Sequence, residues 1–354
     1  ASALANGTVA LDLALKALRI GAGDEVVVTP RTFLASVSSI INAGAIPVFA
    51  DVDRDSQNVT PETIEAVLTP RTRGIVCVHL AGWPCEMNGI RSLADRHNLV
   101  VIEDCAQAHG ALYRGQPVGS LGDVGAWSFC QDKIMTTGGE GGMVTTNDSE
   151  LWSTMWSYKD HGKSYEAVFN TEHPPGYRWL HESFGTNWRI TEMQAAIGRI
   201  QLTRMDEWHR RRLSIAETIW KAASELPGLR VPCIPKYIEH GAYKCYIFVA
   251  PGELKNSWDR QRVIAEINEC GVPCFSGSCS EVYLEKAFND TGFGPSKRLP
   301  NAMELGETSL MFLCHPTLTD DQVAKTCESI AAIMQRAVKN AAANATKAPV
   351  AAGR

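Results

Sequence analysis

The sequence predicts an α/β fold with a mostly parallel central sheet sandwiched by helices, followed by a smaller C-terminal α+β domain. Five short runs are apolar at nearly every position, which is typical of strands buried on both faces. Helical segments separate the first four runs, and this alternation favours parallel strands with helical crossovers. The length of 354 residues exceeds what one small core needs and fits about two domains.

The predicted elements of the large domain follow one another in a regular order. A helical run at 9–18 comes first, and Gly21-Ala-Gly23 closes it. Strands are then predicted at 26–28, 46–49, 75–78, 100–102 and 126–129, and helices at 33–42, 61–68 and 87–97. Asp104 follows directly after the fourth strand, at the place where open α/β sheets bind their ligands.

A smaller domain is predicted after a long helical stretch from Thr191 to about Glu225. Prolines at 227, 232 and 235 then break the chain, and a strand at 245–249, a helix at 257–270 and a final helix from Asp320 follow. We therefore place the large domain at residues 1–210 and the small domain at 211–340. The Ala-rich tail 341–354 is expected to be disordered.

Composition argues against several classes of function. The net charge is −5 and no block rich in Lys and Arg is present, so no nucleic-acid partner is expected. No apolar stretch reaches the roughly 20 residues of a membrane span. The 11 cysteines are odd in number and lack the paired spacing of a structural zinc site. We expect reduced thiols, no metal and a cytoplasmic location.

Lys133 stands out because of the residues around it. The apolar run 126–129 ends shortly before it, and Gly138-Gly-Glu-Gly-Gly142 follows it. Further upstream, another apolar run ends in Asp104. A lysine and an aspartate delivered in this way suit pyridoxal 5′-phosphate (PLP), because the lysine forms a Schiff base and the aspartate keeps the pyridine nitrogen protonated. Taken singly, each residue also has an ordinary interpretation, as a solvated lysine or a capping aspartate.

Two further elements suit the phosphate of that cofactor. Gly7 and Thr8 stand at the start of the first helix, where free N–H groups, a hydroxyl and the positive end of the helix dipole bind phosphate. Ser128, at the end of the fifth strand, offers another hydroxyl. An ordinary N-cap and a plain strand-end serine are the alternative interpretations.

Together with these features, a set of motifs in a fixed order resembles the DegT/StrS family of PLP-dependent sugar aminotransferases, which have the aspartate-aminotransferase-like fold, fold type I. The resemblance covers nearly the whole chain. The motifs are Asn6-Gly-Thr-Val-Ala-Leu, Gly23-Asp-Glu-Val-Val-Val-Thr-Pro-Arg-Thr-Phe33, Ala43-Gly-Ala-Ile-Pro-Val-Phe-Ala-Asp51, His79-Leu-Ala-Gly-Trp-Pro, Glu103-Asp-Cys-Ala-Gln-Ala-His-Gly, Ser128-Phe, Lys133, Gly139-Glu-Gly-Gly-Met, Asp160-His-Gly and Gly185-Thr-Asn-Trp-Arg-Ile-Thr-Glu-Met-Gln-Ala-Ala-Ile-Gly198.

The resemblance implies a role for each candidate residue. Lys133 is implied to carry the Schiff base and to shuttle a proton, with Asp104 at the pyridine nitrogen. Gln107 is implied to hydrogen-bond the ring 3-hydroxyl, and Phe33, which could equally pack in the core, to stack on the ring. The residues implied to hold the phosphate are Gly7, Thr8 and Ser128, with Asn187 and Arg189 reaching the site of the neighbouring subunit in a homodimer with shared active sites. The substrate candidates at the entrance are His161 and Tyr283.

The implied reaction moves an amino group from L-glutamate, or from glutamine, to a keto sugar, foremost a nucleotide-linked 4-keto-6-deoxy hexose, in amino-sugar, polysaccharide or antibiotic biosynthesis. A cyclitol (inosose) aminotransferase and a non-catalytic PLP- or sugar-binding regulator on the same fold remain alternatives. Lys133 disfavours the family's dehydratases, which have a histidine at that position. The family's residues before the Asn-Gly-Thr element are expected to be missing from this chain.

Overall fold

The computed structural model describes residues 1–173, 175–176 and 178–339. The tail 341–354, for which we predict disorder, lies outside the described residues. In chain order the elements are β1 (Ser2–Leu4), α1 (Gly7–Ala17), β2 (Glu25–Val28), α2 (Ala35–Asn42), β3 (Ile46–Phe49), α3 (Pro61–Glu65), β4 (Thr72–Val78), α4 (Met87–His97), β5 (Val100–Asp104), β6 (Leu112–Tyr113), β7 (Gln116–Pro117), β8 (Val124–Ser128), β9 (Gly142–Thr145), α5 (Ser149–Tyr158), α6 (Tyr165–Phe169), α7 (Glu192–Leu202), α8 (Met205–Ser224), β10 (Leu229–Arg230), β11 (Ile238–Glu239), β12 (Lys244–Val249), α9 (Arg260–Glu269), β13 (Cys274–Phe275), α10 (Pro300–Thr308), β14 (Ser309–Leu313) and α11 (Asp320–Ala337).

A seven-stranded sheet confirms the predicted fold class. Its strand order is β1-β9-β8-β5-β4-β2-β3. The five predicted apolar strands, β2, β3, β4, β5 and β8, run parallel to one another, and β1 and β9 pair antiparallel at one edge. Val26 and Val28 on β2 belong to the same apolar cluster as α1, whereas Val27 belongs to the cluster of α4. Both faces of the sheet are therefore covered by helices, as the continuous apolar runs require.

A second, four-stranded antiparallel sheet, ordered β10-β12-β14-β13, lies in the C-terminal half. Its apolar core includes residues of α8, α9 and α11. This half therefore has the predicted α+β character, and the precise boundary near residue 210 stays a prediction. No helix within the described ranges is long and apolar enough to cross a membrane.

The single long helix predicted from Thr191 to about Glu225 is wrong, because the chain forms two helices. α7 ends at Leu202 and α8 begins at Met205. The Thr203 hydroxyl donates to the carbonyl of Ile200 at 2.7 Å, a local bond that competes with continuation of the helix. No glycine or proline marks this break, so the sequence pattern gives no signal for it.

Candidate active site

The carboxyl edge of the parallel sheet carries two of the predicted residues. β5 ends at Asp104, and the neighbouring parallel strand β8 ends at Ser128. Asp104 pairs with Ala126 across the two strands, so Ser128 lies at the same edge. The sheet thus brings an acid and a hydroxyl from separate strands to one place, where ligands of such sheets bind.

The Asp104 carboxylate is buried and fixed by hydrogen bonds. The Ser36 hydroxyl on α2 donates to Oδ2 at 2.7 Å, and the N–H of Ala106 donates to Oδ1 at 3.1 Å. Because Ser36 gives its proton to the carboxylate, the Thr32 hydroxyl, 2.8 Å away, is the donor to Ser36. This hydroxyl chain was not predicted, although two hydroxyl residues four positions apart near the start of a helix were an available signal for it.

Gln107 lies just beyond Asp104 and presents an amide donor. Its Oε1 accepts the N–H of Ala81 at 2.9 Å, so the opposite end of the amide carries the NH₂ group. Within the described part of the chain, no hydrogen bond is donated by this Nε2. The arrangement suits an oxygen acceptor such as the 3-oxygen of a pyridine ring.

The start of α1 touches the end of β8. A Cβ atom on Gly7 would lie only 2.5 Å from Cβ of Ser128, so no side chain fits there. Asn6 caps the helix by accepting the N–H of Val9 at 3.0 Å, which leaves the N–H groups of Gly7 and Thr8 without intrahelical partners. The ordinary N-cap is therefore Asn6, and the two following N–H groups remain to bind an anion beside the Ser128 hydroxyl.

Lys133 lies in the loop after β8 with 16% of its side chain exposed. Its Nζ is 3.6 Å from Oδ1 of Asp132 and 5.4 Å from the centre of the Tyr243 ring. The Tyr243 hydroxyl donates to the other oxygen of Asp132 at 2.7 Å. Tyr243 therefore ties the start of β12 to the lysine loop, a contact that no sequence pattern indicated.

The electrostatics around this loop follow from burial and pairing. Burial raises the pKa of Asp132, but the hydrogen bond from Tyr243 and the charge of Lys133 outweigh it, so the net pKa lies below the usual value. Burial and the same hydrogen bond to Asp132 raise the pKa of Tyr243. Asp132 is thus held as an anion and Tyr243 as a neutral donor at neutral pH.

A cavity of about 610 Å³ opens beside Lys133. One wall is the loop that contains Gln131 and Lys133, and the opposite wall is formed by α8 and the segment 315–317. Its cationic residues are Lys133, Arg211 and Arg212. This volume is of the size that small-molecule sites have. The Arg210-Arg211-Arg212 run in the sequence was the overlooked signal for its charged wall.

Phe33 is 70% exposed, which rules out the core-packing interpretation for the described chain. It lies just before α2, the helix that carries Ser36. Since Ser36 bonds Asp104, the Phe33 ring belongs to the segment beside the aspartate. An exposed aromatic ring in this place suits stacking on a planar ligand.

The remaining predicted phosphate residues lie at the surface, on a segment that pairs with the chain just before α1. Asn187 is exposed, and Arg189 forms an ion pair with Asp160. The backbones of Asp160 and Asn187 pair, as do those of Leu4 and Arg189. The partner-subunit role of Asn187 and Arg189 stays a prediction.

The two substrate candidates have different surroundings. His161 is exposed, with a left-handed φ of 61°, on the turn that packs against the Asn187 segment, and its role stays a prediction. Tyr283 is buried in an edge-to-face contact with Phe49, with ring centres 5.3 Å apart. Its hydroxyl donates to Glu281 and accepts the N–H of Leu299. This side chain is held by packing and by two hydrogen bonds, and its contact with substrate stays a prediction.

A buried group of His79, Glu103 and Cys105 has the composition of a metal site. However, the N–H of Cys85 donates to Nδ1 of His79 at 3.0 Å, so Nε2 carries the proton that Glu103 accepts at 2.9 Å. No lone pair then remains on His79 for a metal ion. Three backbone N–H groups also donate to Glu103, so the group is a structural network.

These positions fit PLP. The helix start at Gly7, with free N–H groups and no room for a side chain, together with Ser128 offers a phosphate cradle. The buried Asp104 carboxylate suits a protonated pyridine nitrogen, Gln107 has a spare donor, and Lys133 supplies an amine at the cavity.

Comparisons with known proteins agree with this geometry. The sequence model of the DegT/DnrJ/EryC1/StrS aminotransferase family matches residues 1–331. GDP-perosamine synthase of Escherichia coli O157:H7 is 36% identical over 330 residues, which cover 93% of this chain and 84% of that protein. An X-ray structure of an aminotransferase from Psychrobacter cryohalolentis matches with a TM-score of 0.93 and 63% identity, covering 94% of this chain and 87% of the other. The structure of S. venezuelae DesV matches with a TM-score of 0.85 and 32% identity, covering 95% and 85% of the two chains.

These matches confirm the predicted resemblance and the predicted PLP-dependent transferase fold over nearly the whole chain. They also settle the choice between an enzyme and a non-catalytic regulator in favour of a sugar aminotransferase, since the family and the solved neighbours are aminotransferases. The chain belongs to the DegT/DnrJ/EryC1/StrS aminotransferase family.

Proposed function

We propose that this enzyme uses PLP to transfer the amino group of L-glutamate to the ketone of a nucleotide-linked 4-keto-6-deoxy hexose. The observation that carries the proposal is the place of Lys133, whose loop leaves the strand next to Asp104 and lines the 610 Å³ cavity. The match to GDP-perosamine synthase supports a nucleotide sugar as the acceptor.

Each residue around the lysine has a separate role in the proposed reaction. Bound PLP supplies the electron sink for removal of the donor's α-proton. Lys133 moves that proton with its Nζ, and its loop is held by the contacts of Asp132 and Tyr243. Asp104, fixed by Ser36, keeps a proton on the pyridine nitrogen. Gln107 donates its free amide hydrogen to the ring oxygen.

The remaining residues hold the cofactor in place. Gly7 and Thr8 donate backbone N–H groups to the phosphate, and Ser128 adds its hydroxyl. The exposed ring of Phe33 would stack on one face of the pyridine ring. Because these groups belong to α1, to the end of β8 and to the segment just before α2, they would hold the cofactor from three separate elements of the large domain.

A spectral titration of the holoenzyme tests the reaction. L-Glutamate should convert the visible absorption of the pyridoxal form into the near-ultraviolet absorption of the pyridoxamine form, with release of 2-oxoglutarate. The correct keto sugar should then restore the visible band. If neither glutamate nor glutamine changes the spectrum, the aminotransferase proposal is wrong for this chain.

A panel of ketones identifies the acceptor. It should contain nucleotide-linked 3-keto and 4-keto hexoses, and inososes as representatives of cyclitols. Restoration by the 4-keto-6-deoxy sugar alone supports the proposal as stated. Restoration by an inosose alone replaces the sugar with a cyclitol, while the donor half of the proposal stands.

We further propose a homodimer with shared active sites. Helix α7 has eleven residues, and Gly198 is the single buried one. The apolar side chains of Met193, Ile200 and Leu202 are 77%, 59% and 63% exposed. An apolar helix face of this kind is typical of an interface. It adjoins the segment with Asn187 and Arg189, so a second copy of the chain is the occupant that would bring those residues to a neighbouring site.

Subunit complementation tests the shared site. Co-expressed Asn187→Ala and Lys133→Ala chains should regain part of the activity that neither homodimer has, since one site of each mixed dimer is intact. Full activity in a species that sediments as a monomer would contradict the dimer proposal.

A further inference from the structure

Arg212 on α8 is buried without a counter-charge. Its exposed fraction is 4%, and its Nε has no hydrogen-bond partner. One terminal nitrogen reaches the carbonyl of Cys314 at 3.5 Å, the outer limit of a hydrogen bond. Among the ion pairs of the described residues, none includes Arg212. Charged side chains are rarely buried in this way unless something else pairs with them.

The neighbouring cationic groups have partners. Arg211 pairs with Asp320 at 2.8 Å and also donates to the carbonyl of Leu318. Lys133 lies beside Asp132. Arg212 therefore differs from both of the other cationic residues that line the cavity.

The cavity around Arg212 has an excess of positive charge. Lys133, Arg211 and Arg212 line it together, and Glu207, an exposed residue, is the carboxylate of the described lining. Burial is the main cause that lowers the pKa of Arg212, and it also lowers the pKa of His315 in the same wall, with the charge of Arg212 adding to the effect. With His315 neutral and Arg211 paired with Asp320, the Arg212 guanidinium is the cation of that wall that has no ion-pair partner within the described residues.

We propose that Arg212 binds an anionic oxygen group of the substrate, a carboxylate or a phosphate, inside this cavity. The guanidinium is planar and presents a fork of donors that matches either anion. The proposal rests on the proposed aminotransferase function. In that reaction both substrates enter one site, and the anion comes either from a carboxylate of the amino donor or from the diphosphate of the nucleotide sugar.

Ligand-induced thermal stabilisation of the holoenzyme tests the site without turnover. The probes are 2-oxoglutarate for the carboxylate source and GDP, UDP and dTDP for the diphosphate source. The half-saturating concentration of at least one probe should rise by about 30-fold or more in Arg212→Met, because the bound anion loses its cationic partner. Arg212→Lys, which keeps the charge but loses the fork, should restore part of the affinity.

Arg260→Met is the matched control. Its Nε also lacks a partner, but the residue lies outside the lining of the cavity. This variant should respond to every probe like the wild type. In addition, Arg212→Met without ligand should melt at a higher temperature than the wild type, since the substitution removes an unpaired buried charge.

The outcomes separate the alternatives. A loss confined to 2-oxoglutarate identifies the donor carboxylate, and a loss confined to the nucleotides identifies the diphosphate; both support the proposal. Unchanged half-saturation for every probe in Arg212→Met, or a lower melting temperature with unchanged affinity, overturns it. If the anions bind through Arg212 but glutamate leaves the wild-type spectrum unchanged, the proposed function fails and the anion site stands.

Discussion

The carboxyl edge of the large sheet and the α8 wall of the cavity differ in how their polar groups are satisfied. At the edge, the Asp104 carboxylate receives two hydrogen bonds from the protein, and Ser36 is itself held by Thr32. In the wall, Arg212 is buried with one hydrogen bond at 3.5 Å. The polar groups of the edge are therefore fixed before any ligand binds. In the wall, by contrast, the Arg212 guanidinium keeps hydrogen-bond donors without a partner within the described residues.

This difference suits a family whose cofactor is constant and whose substrates vary. Groups that bind the same cofactor in every turnover can be held rigidly by the fold without restricting which substrate is used. A guanidinium with its donors unused accepts more than one anion, at a cost in stability without ligand. The variants below test whether damage at the edge disables the chemistry itself, in contrast to the affinity change expected for Arg212.

The largest effect is expected for Lys133→Ala. Removal of the amine takes away the Schiff-base partner and the proton shuttle, so turnover should be abolished. Borohydride reduction of the wild type should bleach the chromophore and label the peptide that contains Lys133, and the variant should stay unlabelled. Transamination by Lys133→Ala at the wild-type rate would remove this residue from the chemistry.

Asp104→Asn should be the next most damaging change. The amide keeps the shape but cannot stabilise a protonated pyridine nitrogen, so kcat should fall by about 100-fold or more while PLP stays bound. Ser36→Ala leaves the carboxylate in place and removes one donor, and a smaller loss of about 10-fold is expected. Single-turnover rates with glutamate and the cofactor content measure both. Full activity of Asp104→Asn would contradict the role of the edge.

The sequence revealed the edge far better than the wall. Asp104 and Lys133 could be predicted because each follows a short apolar run, and such runs are recognised directly in the sequence. Tyr243, just before β12, contacts the lysine, and Arg212, on α8, lines the same cavity. Both come from distant parts of the chain, and their places depend on packing between elements. The break between α7 and α8 was missed for a different reason. A local hydrogen bond of the Thr203 hydroxyl accompanies it, and no glycine or proline marks it in the sequence.

Gly7→Ala tests how closely the phosphate cradle is built. The new Cβ would lie 2.5 Å from Cβ of Ser128, so α1 or the end of β8 must move. We expect PLP affinity to fall by about 10-fold or more and stability to fall by about 1–3 kcal/mol. Gly21→Ala, after the end of the same helix, is the control, because its nearest neighbour would be a carbonyl at 3.7 Å. Equal PLP affinities in the two variants would argue against a close-fitting cradle.

The smallest effect is expected at the seam between α8 and the large domain, where His240 packs between Trp83 and Trp220 of α8. Its Nδ1 accepts the N–H of Ala242 at 2.8 Å, which requires a neutral nitrogen at that position. Burial, aided by the nearby His209, lowers the pKa of His240 to about 3. The seam should therefore weaken in acid.

The direction of the pH effect follows from the two pKa values. The unfolded chain takes up a proton at about pH 6.5, whereas the folded chain resists it until about pH 3, so acid favours the unfolded state between these values. His240 alone should cost about 2 kcal/mol of stability between pH 8 and pH 5. Urea unfolding of His240→Gln at both pH values should show a smaller acid loss than the wild type, even if the variant is less stable at pH 8. The exposed His97, replaced by Gln, is the control and should leave the acid loss unchanged. If His240→Gln loses as much stability in acid as the wild type does, protonation of His240 is not a cause of the acid loss.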